Sequence, residues 1–171
     1  MISSEVAALL LDNDACGDLM IRGENVANVH CSNNLNHAFL VLSQVKYSVI
    51  PVLDSKSRIK GLISIPMIIK AITEIDAIRY DKMETLKVED VMDRNVQTIR
   101  PWTDLEDILN YLIDHNFLCV TEDDGKFIGI ITRKEILTRV NHLVHGIHRI
   151  YKLEKIEEKE EVAYNLHSRI V

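Results

Sequence analysis

The sequence predicts an α/β (α+β) fold made of two small repeats, each strand-helix-strand-strand-helix, packed about a pseudo-twofold axis. A short N-terminal helix and a long C-terminal helix flank the pair. Three observations predict it. Matching tracts recur about 70 residues apart, as from Asp18 to Asp90 and from Gly61 to Gly129. Within each copy, apolar residues at helical spacing alternate with short runs of Val, Ile, Tyr and Phe bounded by turn residues. An apolar stripe then runs on beyond the second copy.

Ser4 to Leu11 reads as the N-terminal helix. The first repeat opens at Asp18-Leu19-Met20, and Val26-Ala27-Asn28-Val29 is its first strand. Asn33 caps a helical tract that ends at Val45, and Tyr47 to Leu53 is an apolar strand. The polar turn Asp54 to Ser57 leads to a strand ending in Gly61-Leu62-Ile63-Ser64, and a helix closes the unit. The second repeat opens at Asp90-Val91-Met92 and continues through Val96 to Ile99. Its helix runs from Thr103 to His115, with Leu105, Ile108, Leu109, Leu112 and Ile113 on one face. Phe117 to Val120, the turn Glu122 to Gly125 and the strand ending in Gly129-Ile130-Ile131-Thr132 complete it. Thr103 with Glu106, and Thr132 with Glu135, have capping-box spacing at two helix starts.

The stripe Ile136, Leu137, Val140, Leu143, Val144, Ile147, Ile150 and Tyr151 carries the last helix past the repeat, and Lys152 to Glu161 is mostly charged. The division is therefore 1–17, an N-terminal helical segment; 18–80 and 81–140, the two repeats; and 141–171, a C-terminal helical extension. One repeat alone is too small to cover both faces of its sheet, so the two pack together.

Composition excludes several classes. Acidic side chains outnumber basic ones 26 to 20, which disfavours general binding to a nucleic-acid backbone. No apolar run reaches the roughly 18 residues of a membrane span. The N-terminus lacks the basic-then-apolar order of a signal peptide. Cys16, Cys31 and Cys119 are odd in number and widely spaced, which fits neither a disulfide framework nor a zinc site and suits a cytoplasmic chain. His142, His145 and His148 drift around a helix rather than sharing one face, and ordinary surface histidines explain them better than a metal site. No GxSxG, HExxH, Walker A or GxGxxG pattern is present, so the reading is a binding module and not an enzyme.

The paired Asp-x-Met openings, the strand Ile50-Pro51-Val52 and the segment Gly129-Ile130-Ile131-Thr132-Arg133-Lys134-Glu135 resemble a tandem pair of CBS domains, a Bateman module, over about residues 18 to 140. Glu24 to Val29, Asn33-Asn34-Leu35-x-His37-Ala38, Tyr47 to Asp54 and Gly61 to Ile68 are similar to a narrower group, the stand-alone bacterial cyclic di-AMP receptors of the DarB/CbpB family. That resemblance implies a homodimeric regulatory protein with no resident cofactor, which holds cyclic di-AMP between its repeats. It also implies a partner enzyme such as the (p)ppGpp synthetase Rel or pyruvate carboxylase. The C-terminal extension is longer than the family pattern.

Carried onto this chain, the resemblance implies a site formed by Asn25, Val26, Ala27, Tyr47, Ser48, Val49 and Ile50 of the first repeat with Thr132, Arg133, Lys134 and Glu135 of the second. The chemistry is coherent. Val26 and Ile50 can sandwich a purine, and Ala27 leaves room for the ring. Arg133 and Lys134 lie in a helical first turn, where free backbone N–H groups already favour an anion, and two cations suit two phosphodiesters. The symmetry-related site, Val96, Gln97, Phe117 and Leu118 with Ser64 to Met67, lacks a cation and has Met67 where the family places a ribose-binding acid, so it is expected to be empty or weak.

The residues alone leave plainer readings open. Arg133 and Lys134 also suit solvated helix-start cations, Glu135 a capping partner of Thr132, and Tyr47 a core aromatic. An AMP, ADP or ATP sensor on the same fold, or a ligand-free interaction scaffold working through the last helix, are the competing functions.

Overall fold

The computed structural model describes residues 2, 4–12 and 18–150, with side chains up to residue 146. Two sheets lie at its centre. One holds β2 (Val29–His30), β3 (Val49–Leu53) and β4 (Ile59–Ser64) in that order. The other runs β1 (Ile21–Arg22), β7 (Phe127–Thr132), β6 (Phe117–Thr121) and β5 (Thr98–Ile99). In each, a short first strand pairs in parallel with the next strand, which pairs antiparallel with the last.

The helices are α1 (Ser4–Leu10), α2 (Leu35–Gln44), α3 (Ile65–Ile72), α4 (Lys82–Thr85), α5 (Val88–Val91), α6 (Leu105–Asp114) and α7 (Arg133–Ile150). A 3-10 turn spans Gly23–Asn25. The strand-helix-strand-strand-helix order of both repeats is as the sequence predicts, although the first strands are shorter than expected. Val26 to Asn28 and Val96 to Gln97 lie outside them.

Two caps sit one residue later than predicted. Asn34, not Asn33, caps α2 by accepting from the His37 N–H at 2.9 Å. Asn33 instead accepts from the His30 N–H at 2.8 Å. Asp104, not Thr103, occupies the N-cap of α6, because Thr103 Oγ1 accepts from the Arg100 N–H at 2.9 Å and closes the preceding turn. The later caps match the repeat. Ser64 accepts from the Met67 N–H at 3.4 Å, and Thr132 from the Glu135 N–H at 3.1 Å.

The repeats exchange their opening segments. β1 belongs to the first repeat in sequence but pairs with β7 of the second, Ile21 opposite Ile130. In return, Asp93 of the second repeat bridges Leu62 of the first. The cores follow this exchange. Val88 and Met92 are buried with Leu35, Ile63 and Ile68 of the first repeat, while Leu19 and Met20 pack against Ile108, Leu118 and Ile131 of the second. A third cluster, Val26, Leu53, Cys119, Phe127 and Ile130, fills the seam. Burying each such side chain contributes about 1.5–3 kcal/mol, so separating the halves would be expensive.

Two turns meet at the pseudo-twofold axis. Ser57 and Gly125 hold equivalent positions, both with positive φ, at 58° and 84°. The Phe127 N–H donates to the Ser57 carbonyl at 2.8 Å, and the Ile59 N–H to the Gly125 carbonyl at 3.2 Å. The Asp54 carboxylate holds the first turn. It accepts from the N–H groups of Lys56 and Arg58 and from the Arg58 guanidinium, at 2.8, 3.0 and 2.9 Å. These bonds keep its carboxyl at about 2, below the ordinary 3.8.

At the C-terminal end, Ile136 is buried while Leu137 and Val144 are 59% and 58% exposed. Among the described side chains of the α7 stripe, Ile136 faces the core, whereas Leu137, Val140 and Val144 face outward. Cys16, His148, Tyr151 and the charged tract from Lys152 to Glu161 lie outside the described residues or side chains.

Candidate functional site

The seam opens into a cleft of about 500 Å³ lined by both repeats. Strand lengths create it. β2 reaches only Val52 and Leu53 of β3, so the stretch from Tyr47 to Ile50 is left uncovered by its neighbour. Opposite it, β7 ends at Thr132 and α7 begins at once, which brings the first helical turn to the cleft wall. The Thr132 hydroxyl fixes that turn through the Glu135 N–H.

Val26, Ala27, Tyr47, Ser48, Val49, Ile50, Thr132, Lys134 and Glu135 all line this cavity. Val26 and Ile50 are nearly fully buried and form floor rather than two free walls. Ala27 packs against the first core, and a larger side chain there would fill the space above it. Tyr47 is 50% exposed, so its ring face is open to a flat ligand rather than enclosed as a core aromatic.

Two implied residues lie elsewhere. Asn25 ends the 3-10 turn and does not reach the cleft. Arg133 turns toward α6, where its Nε donates to the Leu112 carbonyl at 2.8 Å and its second nitrogen to the Ile113 carbonyl at 3.2 Å. The last carbonyls of a helix lack intrahelical donors, and a guanidinium fork satisfies two of them. Arg133 instead borders an adjoining groove with Leu137, Thr138 and Asn141, which shares Asn116 and Lys134 with the cleft.

The cleft also has walls that were not anticipated. Lys46, beside Tyr47, adds a cation from the first repeat to Lys134 of the second, and both are exposed. Its adjacency to Tyr47 was the available signal. Ile21 and Ile130 line the cleft because β1 pairs with β7, a long-range register with no local signature, and Asn116 and Phe117 line it from the start of β6. Phe117, expected at the symmetry-related site, lines this cleft. Leu118, also assigned there, is fully buried in the second core. Ser64 caps α3 and Met67 packs on the first core.

Chemically, the cleft offers an apolar floor, one open aromatic face, two ammonium groups from opposite repeats, and a half-buried carboxylate at Glu135. That combination suits an anionic molecule with a flat ring. No histidine or cysteine lines it. Among the described residues, no group of His, Cys, Asp and Glu is gathered closely enough to hold a metal ion, and no helix is long and apolar enough to cross a membrane.

Exchanged opening segments and a cleft at the seam define a class of protein, the paired-repeat α/β modules. The CBS domain family model matches residues 16–74 and 88–142. The chain belongs to the CBS-domain family, as a tandem pair. It is 36% identical to Cyclic di-AMP receptor B of Bacillus subtilis over 125 residues, 73% of this chain and 85% of that protein. It is 45% identical to the CbpB protein of Listeria monocytogenes solved in complex with c-di-AMP, with a TM-score of 0.71 over 76% of this chain and 97% of that one. CbpB from Streptococcus agalactiae is 26% identical, with a TM-score of 0.76 over 91% of this chain and 96% of that one.

Proposed function

We propose that this protein is a cyclic di-AMP receptor that binds its ligand between the CBS repeats and regulates a partner enzyme by ligand-dependent contact. The observation that carries the reading is the pairing of Lys46 and Lys134, from opposite repeats, at a cleft floored by Val26, Ile50 and Ile130 and edged by Tyr47. One purine can lie on the floor against Tyr47 while the two ammonium groups meet the two phosphodiesters. The stretch from Tyr47 to Ile50, which leads into β3 and is not paired by β2, offers backbone groups to the purine edge. The c-di-AMP complex of the Listeria relative supports the same ligand here.

The reading is regulatory, with no catalytic step and no resident cofactor. A second copy of the chain covers Leu137, Val140 and Val144, which recur at helical spacing on the exposed face of α7, giving a homodimer. The free thiols of Cys31 and Cys119 fit the cytoplasm. For the partner enzyme, the family resemblance points to a (p)ppGpp synthetase of the Rel type or to pyruvate carboxylase.

Calorimetric titration with cyclic di-AMP, AMP and ATP tests the reading. Cyclic di-AMP binds at micromolar concentration or tighter, and binding is lost in Ala27→Trp. Tight AMP or ATP binding without cyclic di-AMP binding would assign an energy sensor instead, and no nucleotide binding at all would leave the interaction scaffold.

A further inference from the structure

The cleft places one purine, whereas a cyclic dinucleotide carries two. The adjoining groove along the start of α7 has a volume of about 560 Å³ and is lined by Asn116, Arg133, Lys134, Leu137, Thr138 and Asn141. Asn116 and Lys134 also line the cleft, so the two depressions meet at a common wall that carries one of the cleft's cations. The chain has a net charge of -6, yet among the described residues no acidic side chain lines the groove and two cations do. Arg133 is held flat beside it. Its Nε and a terminal nitrogen donate to the carbonyls of Leu112 and Ile113. Guanidinium N–H groups lie in one plane, so two such bonds fix that plane and leave its faces for an aromatic ring. The Arg133 backbone N–H donates to the Asn116 carbonyl at 2.9 Å, which ties the residue before β6 to the first residue of α7 and fixes the shared wall.

We propose that this groove is the second half of the ligand site and takes the second nucleoside of a cyclic dinucleotide, with its base laid on the Arg133 guanidinium. The inference rests on the cyclic di-AMP reading and explains how the site prefers a dinucleotide to AMP. A purine stacks on a fixed guanidinium through its π face. The side-chain amides of Asn116 and Asn141 each offer a donor and an acceptor, the complement of an adenine edge. Lys134, on the shared wall, meets the phosphodiester ring that joins the two nucleosides, where a mobile ammonium acts as a point charge. Once the first nucleoside is seated in the cleft, the second reaches the groove at high effective concentration, so the linked pair binds more tightly than either half. AMP fills the cleft alone and gains none of this. Of the groove's lining, only Leu137 also belongs to the outward face of α7 assigned to the second copy, so the two assignments meet at one residue.

Calorimetric titration of the full chain with cyclic di-AMP and with AMP tests the proposal. Thr138 is exposed on α7 and lines the groove but not the cleft. Thr138→Trp fills the groove, weakens cyclic di-AMP by at least about ten-fold and leaves AMP within about two-fold of the wild type. Arg133→Lys keeps the charge but loses the plane, and it weakens cyclic di-AMP by about three-fold with AMP unchanged. A measurement on the wild type needs no variant. The side-chain amide signal of Asn141 shifts on saturation with cyclic di-AMP and stays still with AMP. An Asn141 signal that does not move with cyclic di-AMP overturns the proposal, as does unchanged cyclic di-AMP affinity in Thr138→Trp or an equal loss of both ligands there. In each of those cases cyclic di-AMP still binds the wild type, and the receptor reading stands. Absence of any cyclic di-AMP binding to the wild type rejects the receptor reading itself, and the groove assignment with it.

Discussion

A Cβ on Gly129 would stand 2.9 Å from Met20 Cγ, the side chain that the first repeat lays across the second repeat's sheet. The same contact recurs in reverse, where a Cβ on Gly61 would stand 2.9 Å from Met92 Cγ. Each glycine thus admits the opening segment of the other repeat, and the backbone of that segment crowds the same spot. The exchange that builds the seam depends on the absence of two side chains.

Gly129→Ala therefore pushes β1 away from β7. Overpacking of this kind costs about 1–3 kcal/mol, read as a lower urea midpoint. Because Ile21 and Ile130 line the cleft, nucleotide affinity falls with it.

Arg133 and Lys134 are neighbours with different consequences. Lys134→Ala and Lys46→Ala each weaken cyclic di-AMP by about ten-fold, near 1.4 kcal/mol, and each flattens the dependence of affinity on salt. Arg133→Ala removes two bonds to the end of α6 and lowers stability by about 1 kcal/mol. Its effect on affinity is smaller than that of Lys134→Ala. Parallel titrations and thermal melts separate the two.

Acid unfolding carries the signature of Asp54. Its folded pKa of about 2 lies below the ordinary 3.8, so its contribution is present above the unfolded value and is lost as pH falls through the folded one. Stability thus declines between roughly pH 4 and pH 2. Asp54→Asn removes that part of the decline and lowers stability at neutral pH, since an amide cannot replace the bonds to Lys56 and Arg58 equally.

Cys119 is 1% exposed in the seam, and burial pushes its thiol up to about 12. It stays inert toward a thiol reagent at neutral pH until the protein unfolds, so its labelling rate reports opening of the two repeats. Cys31 is half-exposed and reacts earlier, which mass mapping of the labelled peptides distinguishes.

Much of the fold was legible because its signals are local. Leu105, Ile108, Leu109 and Leu112 set the period of α6, and Gly129 to Thr132 marks a strand running into a helix. The caps were offset because Asn33 and Thr103 serve the turns before their helices, a choice between neighbouring acceptors that spacing alone does not settle. The strand exchange was hidden. Ile21–Arg22 is two residues long, and its partner lies over 100 residues away, Ile130. In the cleft, the resemblance named most of the walls, but not the direction of Arg133. A first-turn side chain can face the cleft or the preceding helix, and the open carbonyls of Leu112 and Ile113 decide it.

The central claim is that the seam between the repeats is where the nucleotide sits. Amide chemical-shift mapping during titration with cyclic di-AMP tests it most directly. The account predicts saturable shifts concentrated at Ala27, Tyr47 to Ile50 and Thr132 to Glu135, with Val96 and Gln97 unmoved. Shifts centred on Val96, Gln97 and Ser64 to Met67, or an unchanged spectrum at millimolar ligand, would contradict it.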